Sequence, residues 1–548
     1  MLSTMQDGPL SIGSLMRYGT TAYGTSEVAT WTGAGSRRMS YAEMGRRCAQ
    51  LAHALRRLGV TGDQRVATFQ WNNQEHLEAY LAVPSMGAVL HTLNVRLFPE
   101  QLVYIANHAE DRVVLVDDSL VSLLAGILPR LDTVQHVVVV GAADTGPLEG
   151  AGKEIHSYAD LLSAEAEDFD WPEVDERQAA AMCYTSGTTG DPKGVLYSHR
   201  SAYLHSMSVC MGDMLALSDR DRCLPVVPMF HANAWGLPYA AVLVGASLVM
   251  PDRFLQAESL ARLIETERPT VAAAVPTIWN DLLNYGRQAG SDLRSLRVVA
   301  CGGSAVPQSL IEGFENDLGV TILQAWGMTE TSPVASVARA PAGTAPENEM
   351  GYRVSQGRLL PGVDYRLVGP DGTILPCDGE AVGELEVRGP WVAGSYYRDD
   401  DPDKFRDGWL RTGDVGSVTP DAFFAISDRA KDVIKSGGEW ISSLALENHL
   451  MGHPAVLEAS VVGVPDDKWG ERPLATVVVR EGASVGADDL RDFLGGRVAR
   501  WQLPERWAFI DKVPKTSVGK FDKKVLRQRY ANGELEVLSL EPLSTRRP

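Results

Sequence analysis

Tyr184-Thr185-Ser186-Gly187-Thr188-Thr189-Gly190-Asp191-Pro192-Lys193-Gly194 follows directly on the apolar run 179–183. The stretch gathers hydroxyls, glycines and one lysine into a loop at the end of a strand-like segment. Glycines let backbone N–H groups turn toward an anion, and hydroxyls add donors or metal contacts. A polyphosphate is the ligand such a loop can wrap. It is not a Walker loop, because the Gly-x4-Gly-Lys-Ser/Thr spacing is absent. For the Gly-Thr-Thr-Gly core alone, an ordinary polar surface turn is an equal reading.

Outward from this loop the chain reads as alternating strands and helices. Residues 41–58 carry apolar side chains at helical spacing (Met44, Cys48, Leu51, Leu55, Leu58), and Gly59 stops the pattern. Residues 65–71 read as a short strand, and the valine runs 113–116 and 137–140 as buried parallel strands. Strand signals recur at 247–250, 271–275 and 297–300, so the pattern is α/β with at least two sheet systems. From about residue 351, β-rich pieces (365–368, 383–388) alternate with turns such as Pro370-Asp371-Gly372, which predicts a small barrel-like subdomain. A boundary is expected near 428–431. Beyond it a helix at 444–451 and strands at 459–464 and 475–479 predict a compact α+β unit. A chain of 548 residues exceeds what one core supports, roughly 250–300 residues.

Five further strings carry chemistry. In Gln324-Ala325-Trp326-Gly327-Met328-Thr329-Glu330-Thr331, a carboxylate sits among hydroxyls after the apparent strand 320–323. That set can hold a hard cation, although a Thr-Glu pair alone also caps helices. Cys301-Gly302-Gly303-Ser304-Ala305 allows a flat ring or carbonyl to approach the backbone, or is a tight strand-to-helix turn. Val306 breaks a Gly-x-Ser-x-Gly pattern, which weakens a serine hydrolase. Asp414, in Trp409-Leu410-Arg411-Thr412-Gly413-Asp414, can accept two ribose hydroxyls or form a turn. The charged run 427–440 reads by default as a solvated face. In Pro228-Met229-Phe230-His231-Ala232-Asn233-Ala234-Trp235-Gly236 a lone histidine stands among apolar residues, as in many cores. The lysines of Pro514-Lys515-Thr516-Ser517-Val518-Gly519-Lys520 flank a glycine loop near the end of the chain.

Together these strings resemble the motifs of the adenylate-forming superfamily, which holds acyl-CoA synthetases, firefly-type luciferases and peptide-synthetase adenylation domains. The similarity covers nearly the whole chain and is strongest to the bacterial medium- and long-chain fatty acyl-CoA synthetase branch. It implies an N-terminal domain, 1–428, of two α/β sheet subdomains plus the barrel-like piece. A smaller, mobile α+β domain, 429–548, would carry the catalytic lysine. By the same resemblance Thr185, Ser186, Gly187, Thr188, Thr189, Gly190 and Lys193 hold phosphates, and Thr185 and Glu330 hold Mg²⁺. Gly303, Ser304, Gln324, Ala325, Trp326, Gly327 and Thr329 flank the nucleotide, with Asp414 and Arg429 at the ribose. Many members have tyrosine where this chain has Trp326. Lys435 and Trp440 would lie near the nucleotide or the coenzyme A channel, and Gly437 and Gly438 along the pantetheine arm. Lys431 would be the hinge. His231, Trp235, Gly302 and Gly303 would line the acyl site, and Lys520 would meet both the substrate carboxylate and the α-phosphate.

The implied activity is an ATP-dependent acyl-CoA ligase acting on a medium- or long-chain fatty acid. The same branch contains ligases for short acids such as methylthiopropionate, which is the alternative substrate class. A luciferase-like oxygenase, a carrier-loading adenylation enzyme and a non-catalytic nucleotide-binding sensor complete the field. The resemblance also implies a homodimer.

Composition narrows the partners. The formal net charge of −19 argues against general nucleic-acid binding and requires any anion site to collect positive charge locally. The six cysteines (Cys48, Cys183, Cys210, Cys223, Cys301, Cys377) are scattered without a C-x-x-C pair, as suits reduced thiols. No run of about 18 apolar residues predicts a membrane span. Residues 1–15 lack a basic n-region and an apolar h-region. The expected location is therefore cytoplasmic.

Overall fold

The valine-rich runs enter a seven-stranded sheet in the computed structural model, which describes all residues except 2, 186–190, 430–431, 437–438, 517–519 and 542–548. In spatial order its strands are Glu154–Ser157, His136–Val140, Asp111–Asp117, Arg65–Phe69, Val89–Thr92, Ala179–Tyr184 and Gly194–Ser198. Every pairing is parallel except the last, where Gly194–Ser198 returns antiparallel beside Ala179–Tyr184. His136–Val140 is buried along its whole length, as a parallel strand covered on both faces must be.

A second sheet holds fifteen strands. Its parallel part orders Glu27–Trp31, Ser247–Met250, Arg222–Pro225, Val271–Ala274, Val298–Gly302 and Ile322–Gly327. Val334–Val337 then turns back antiparallel and passes the sheet, through Gly357–Leu359, to Phe423–Arg429, Trp409–Val418, Gly383–Arg388 and Asp364–Val368. The β-rich piece expected after residue 351 is thus hydrogen-bonded into this sheet. Two local expectations need correction. Gln324, Ala325, Trp326 and Gly327 do not follow a strand; they are its last four residues, and Ala325 and Trp326 pair with Val337 and Ser336. Asp414 is likewise a strand residue, in register with Arg429.

Between the two sheets runs the helix Gln74–Ser85, in which every residue is buried. A helix enclosed on all sides forms part of the core itself. Each fully buried Leu or Val in it stabilises by about 1.5–3 kcal/mol. Its one deeply buried acid, Glu78, accepts from Arg47 Nε at 2.6 Å, Tyr158 Oη at 2.5 Å and Gln74 Nε2 at 2.9 Å. The large sheet ends at Arg429, and a six-stranded sheet begins at Ile434, built on the hairpin Val456–Asp466 and Gly470–Val479. Among the described residues no helix is long and apolar enough to cross a membrane.

Candidate active site

The chemistry-bearing strings converge at the carboxyl ends of parallel strands, where open α/β sheets bind ligands. Ala179–Tyr184 delivers Thr185, Arg222–Pro225 leads to His231, and Val298–Gly302 leads to Gly303. The phosphate-loop candidate is the connection of an antiparallel hairpin closed by two bonds. Thr185 N–H donates to the Lys193 carbonyl at 2.9 Å, and Lys193 N–H donates to Thr185 Oγ1 at 3.0 Å. Ser186, Gly187, Thr188, Thr189 and Gly190 lie outside the described residues.

Glu330 stands on a single helical turn, Thr329–Thr331, just beyond the strand Ile322–Gly327, and is 5% exposed. A segment outside the sequence motifs straps it to the hairpin. Ala393 N–H donates to the Glu330 carbonyl at 2.7 Å, and Tyr396 Oη donates to Glu330 Oε1 at 2.5 Å. Immediately beyond, Tyr397 N–H donates to the Gly194 carbonyl at 2.8 Å, and Asp399 forms an ion pair with Lys193. Residues 393–399 therefore hold the hairpin and the carboxylate in one frame. A carboxylate and a hydroxyl so held are hard oxygen donors, the ligand type that Mg²⁺ takes.

The acyl-site candidates come from an unusual backbone. Ala232, Asn233, Ala234 and Trp235 have φ of 42°, 52°, 48° and 58°, and Gly236 follows at 76°. Left-handed backbone costs roughly 1–2 kcal/mol per non-glycine residue, so the surroundings must enforce it. They do so through buried polar groups. Asn233 Oδ1 lies 3.3 Å from Tyr80 Oη and accepts from Cys183 Sγ at 3.2 Å, while Tyr80 Oη also donates to the Met229 carbonyl. His205 packs against Gly236, leaving 2.6 Å between its Nδ1 and a methyl placed there.

The turn presents the Trp235 indole to the Gly302-Gly303 pair. A methyl on Gly302 would lie 3.4 Å from the indole and 2.6 Å from the Ala325 carbonyl, so that site admits no side chain. At Gly303, where φ is 87°, it would lie 3.5 Å from Lys520 Cε and 4.0 Å from Trp235. Three distant segments thus bring His231 and Trp235, Gly303, and Lys520 to one place. Burial, reinforced by the charges of Lys520 and Arg96, pushes the His231 imidazole down to about 3 and keeps it neutral. Lys520 is set by a tight loop, its N–H donating to Thr516 Oγ1 at 3.2 Å and its carbonyl accepting from Thr516 N–H at 2.7 Å.

Among the nucleotide-site candidates, Trp326 Nε1 donates to Asp414 Oδ2 at 2.8 Å, and both residues are buried. The indole also meets Phe424 edge-on at 5.5 Å. Gln324 is spent on the frame: its Oε1 accepts from Val306 N–H at 2.7 Å and its Nε2 donates to the Ser355 carbonyl. Ser304 lines a cavity of about 420 Å³ bounded by Asn280, His453, Arg480 and Phe521, between the large sheet system and the C-terminal unit. Lys435 is exposed on the strand Ile434–Ser436, its N–H donating to Glu471. Lys431, Gly437 and Gly438, and the side chains of Arg429 and Trp440, lie outside what the structure describes.

Sequence reasoning missed Tyr396, Asp399 and Arg96 as parts of this site. Nothing local to Arg96 announces that its charge bears on His231. Tyr396 and Asp399 stand in a turn-rich stretch whose meaning comes only from partners 66 and 206 residues away.

Residues 20–397 match the AMP-binding enzyme family, and residues 445–520 match the AMP-binding enzyme C-terminal domain. A 3-methylmercaptopropionyl-CoA ligase of Ruegeria pomeroyi is 44% identical over 97% of this chain and 99% of that protein. A long-chain-fatty-acid–CoA ligase of Thermus thermophilus is 45% identical, covering 97% of each. The solved anthranilate CoA ligase AuaEII, in complex with anthranoyl-AMP, has the same fold at a TM-score of 0.86. It is 24% identical and covers 97% of this chain and 100% of that one. With both of its parts matched, the chain belongs to the AMP-binding enzyme family, on its acyl-CoA ligase side.

Proposed function

We propose that this enzyme joins a medium- or long-chain fatty acid to coenzyme A through an acyl-adenylate. The observation that carries this reading is the meeting of Lys520, His231 and Trp235 around Gly303. In the first half-reaction a carboxylate oxygen attacks the α-phosphorus of ATP and pyrophosphate leaves. Thr185 and Lys193 hold the departing phosphates, Asp414 and Arg429 the ribose, and Lys520 neutralises the two anions that must approach each other. Positioning and charge neutralisation are what phosphorus chemistry of this kind chiefly needs. Thr185 and Glu330 would hold Mg²⁺, which when bound offsets phosphate charge. In the second half-reaction the coenzyme A thiol attacks the acyl carbon, the bond to AMP breaks, and the thiol proton is released. Lys520 then withdraws as the C-terminal domain, 429–548, turns about Lys431 and brings Gly437, Gly438 and Trp440 to the thiol. The same reading carries a homodimer and a cytoplasmic location.

A short thioether acid such as methylthiopropionate is the second reading. Two facts favour it: the identity to the Ruegeria ligase, and an indole already closed over Gly302. The test is AMP and thioester formation across carboxylic acids of graded length with wild type and Trp235→Ala. A wild-type optimum at eight carbons or more, about, supports the fatty-acid reading on the ~0.8 kcal/mol that each buried methylene adds. An optimum at short acids replaces it with the second. Trp235→Ala is expected to shift the length profile and leave the KM for ATP unchanged; an unaltered profile removes Trp235 from the pocket wall.

Tyr396→Phe tests the strap. It removes a hydrogen bond to a buried carboxylate, and is expected to raise the Mg²⁺ concentration for half-maximal activity about 10-fold or more. An Mg²⁺ titration indistinguishable from wild type would show that Glu330 needs no such orientation.

A further inference from the structure

We propose that His136, Glu154 and His156 form a binding site for a divalent transition-metal ion of the zinc class, at the far edge of the seven-stranded sheet. The two strands run parallel with His136 opposite Glu154 and Val138 opposite His156. Residues two apart on a strand share a face, so all three side chains stand on the same side of the sheet.

Their donor atoms converge. His136 Nδ1 lies 3.3 Å from His156 Nε2 and 3.5 Å from Glu154 Oε2, and His156 Nε2 lies 3.8 Å from that same oxygen. The point equidistant from three atoms so separated is about 2.1 Å from each, within the roughly 2.0–2.2 Å of zinc–nitrogen and zinc–oxygen bonds. Two imidazoles and a carboxylate form a borderline donor set with a fourth position open to water, which favours zinc or copper over magnesium or calcium. Both imidazoles are largely buried and fixed by their strands, while Glu154 is exposed on the solvent side. The neighbouring cation, Arg57, is paired with Glu165 at 3.0 Å.

This cluster is separate from the nucleotide site. Four strands lie between Glu154–Ser157 and Ala179–Tyr184, a span of roughly 24 Å at the usual strand spacing. Glu154–Ser157 is the open edge of its sheet, and an ion there would tie that edge to the next strand.

The test uses the full chain, stripped with chelator and titrated with Zn²⁺ by calorimetry, alongside Co²⁺ monitored by visible absorption. Wild type is expected to bind one more equivalent than His156→Gln. Zn²⁺ should raise the melting temperature of wild type but not of His156→Gln or Glu154→Gln, whose affinities fall at least about 10-fold. Any ion bound elsewhere is common to all three proteins and cancels. Equal stoichiometry and equal melting shifts in wild type and His156→Gln would overturn the proposal and leave an imidazole–imidazole hydrogen bond only.

Discussion

Lys520→Ala is expected to slow adenylate formation by about 10²-fold or more while sparing thioester formation from supplied acyl-adenylate. The geometry argues for a large effect. Lys520 Cε would lie 3.5 Å from a methyl on Gly303, beside the Trp235 indole, and its charge helps keep His231 neutral. In the proposed mechanism a carboxylate approaching the α-phosphate there meets a second anion beside the buried Trp235. Removing one preorganised donor from such a place costs about 2.7–4 kcal/mol in comparable oxyanion sites. Pyrophosphate release reads the first half-reaction, and coenzyme A consumption with preformed adenylate reads the second. Equal losses in both would contradict the assignment of Lys520 to the first step.

The second large effect is on stability. Arg47→Met leaves Glu78 in the buried helix without its cation and is expected to destabilise the protein by about 3–5 kcal/mol, read from the shift in denaturant midpoint. Burial already raises the Glu78 carboxyl above its ordinary value, and Arg47 is the main influence opposing that rise. Without Arg47 the folded chain holds this proton to higher pH, while the unfolded chain releases it near its ordinary value of about 4.3. The unfolded state then binds fewer protons, so the penalty grows as pH rises above that value. Arg47→Met/Glu78→Met, which removes both charges, is expected to recover part of the loss. A single-variant shift below about 1 kcal/mol would mean that water replaces the arginine.

Much of this architecture is legible one strand at a time. Ser247–Met250 and Gly383–Arg388 appear residue for residue in the apolar pattern, and Tyr41–Arg57 in its helical spacing. Those patterns are local, set by which face must leave water. Residue types at the site are legible for the same reason, since each string sits in one loop or strand end. Their meeting is not. Lys520 reaches Gly303 from more than two hundred residues away, and no periodicity encodes that contact. The strand segment Gln324–Gly327 was hidden because its pairing with Val334–Val337 outweighs the turn character of glycine and polar residues. The left-handed run at 232–236 was hidden more deeply. Alanine and tryptophan do not favour that backbone, and the contacts that hold it, from Tyr80, Cys183 and His205, come from other elements.

That run also constrains how such a pocket can diversify. Its backbone is held from behind at Asn233 and Gly236, so one inserted or deleted residue would rotate every later side chain out of place. Loops that change length freely explore new shapes by indels; this wall cannot. If the proposed acyl pocket is right, acid preference on this frame would drift by exchanging side chains at fixed addresses, Trp235 foremost. Relatives with different substrates can then keep the same spacing between histidine and glycine while the side chain between them changes.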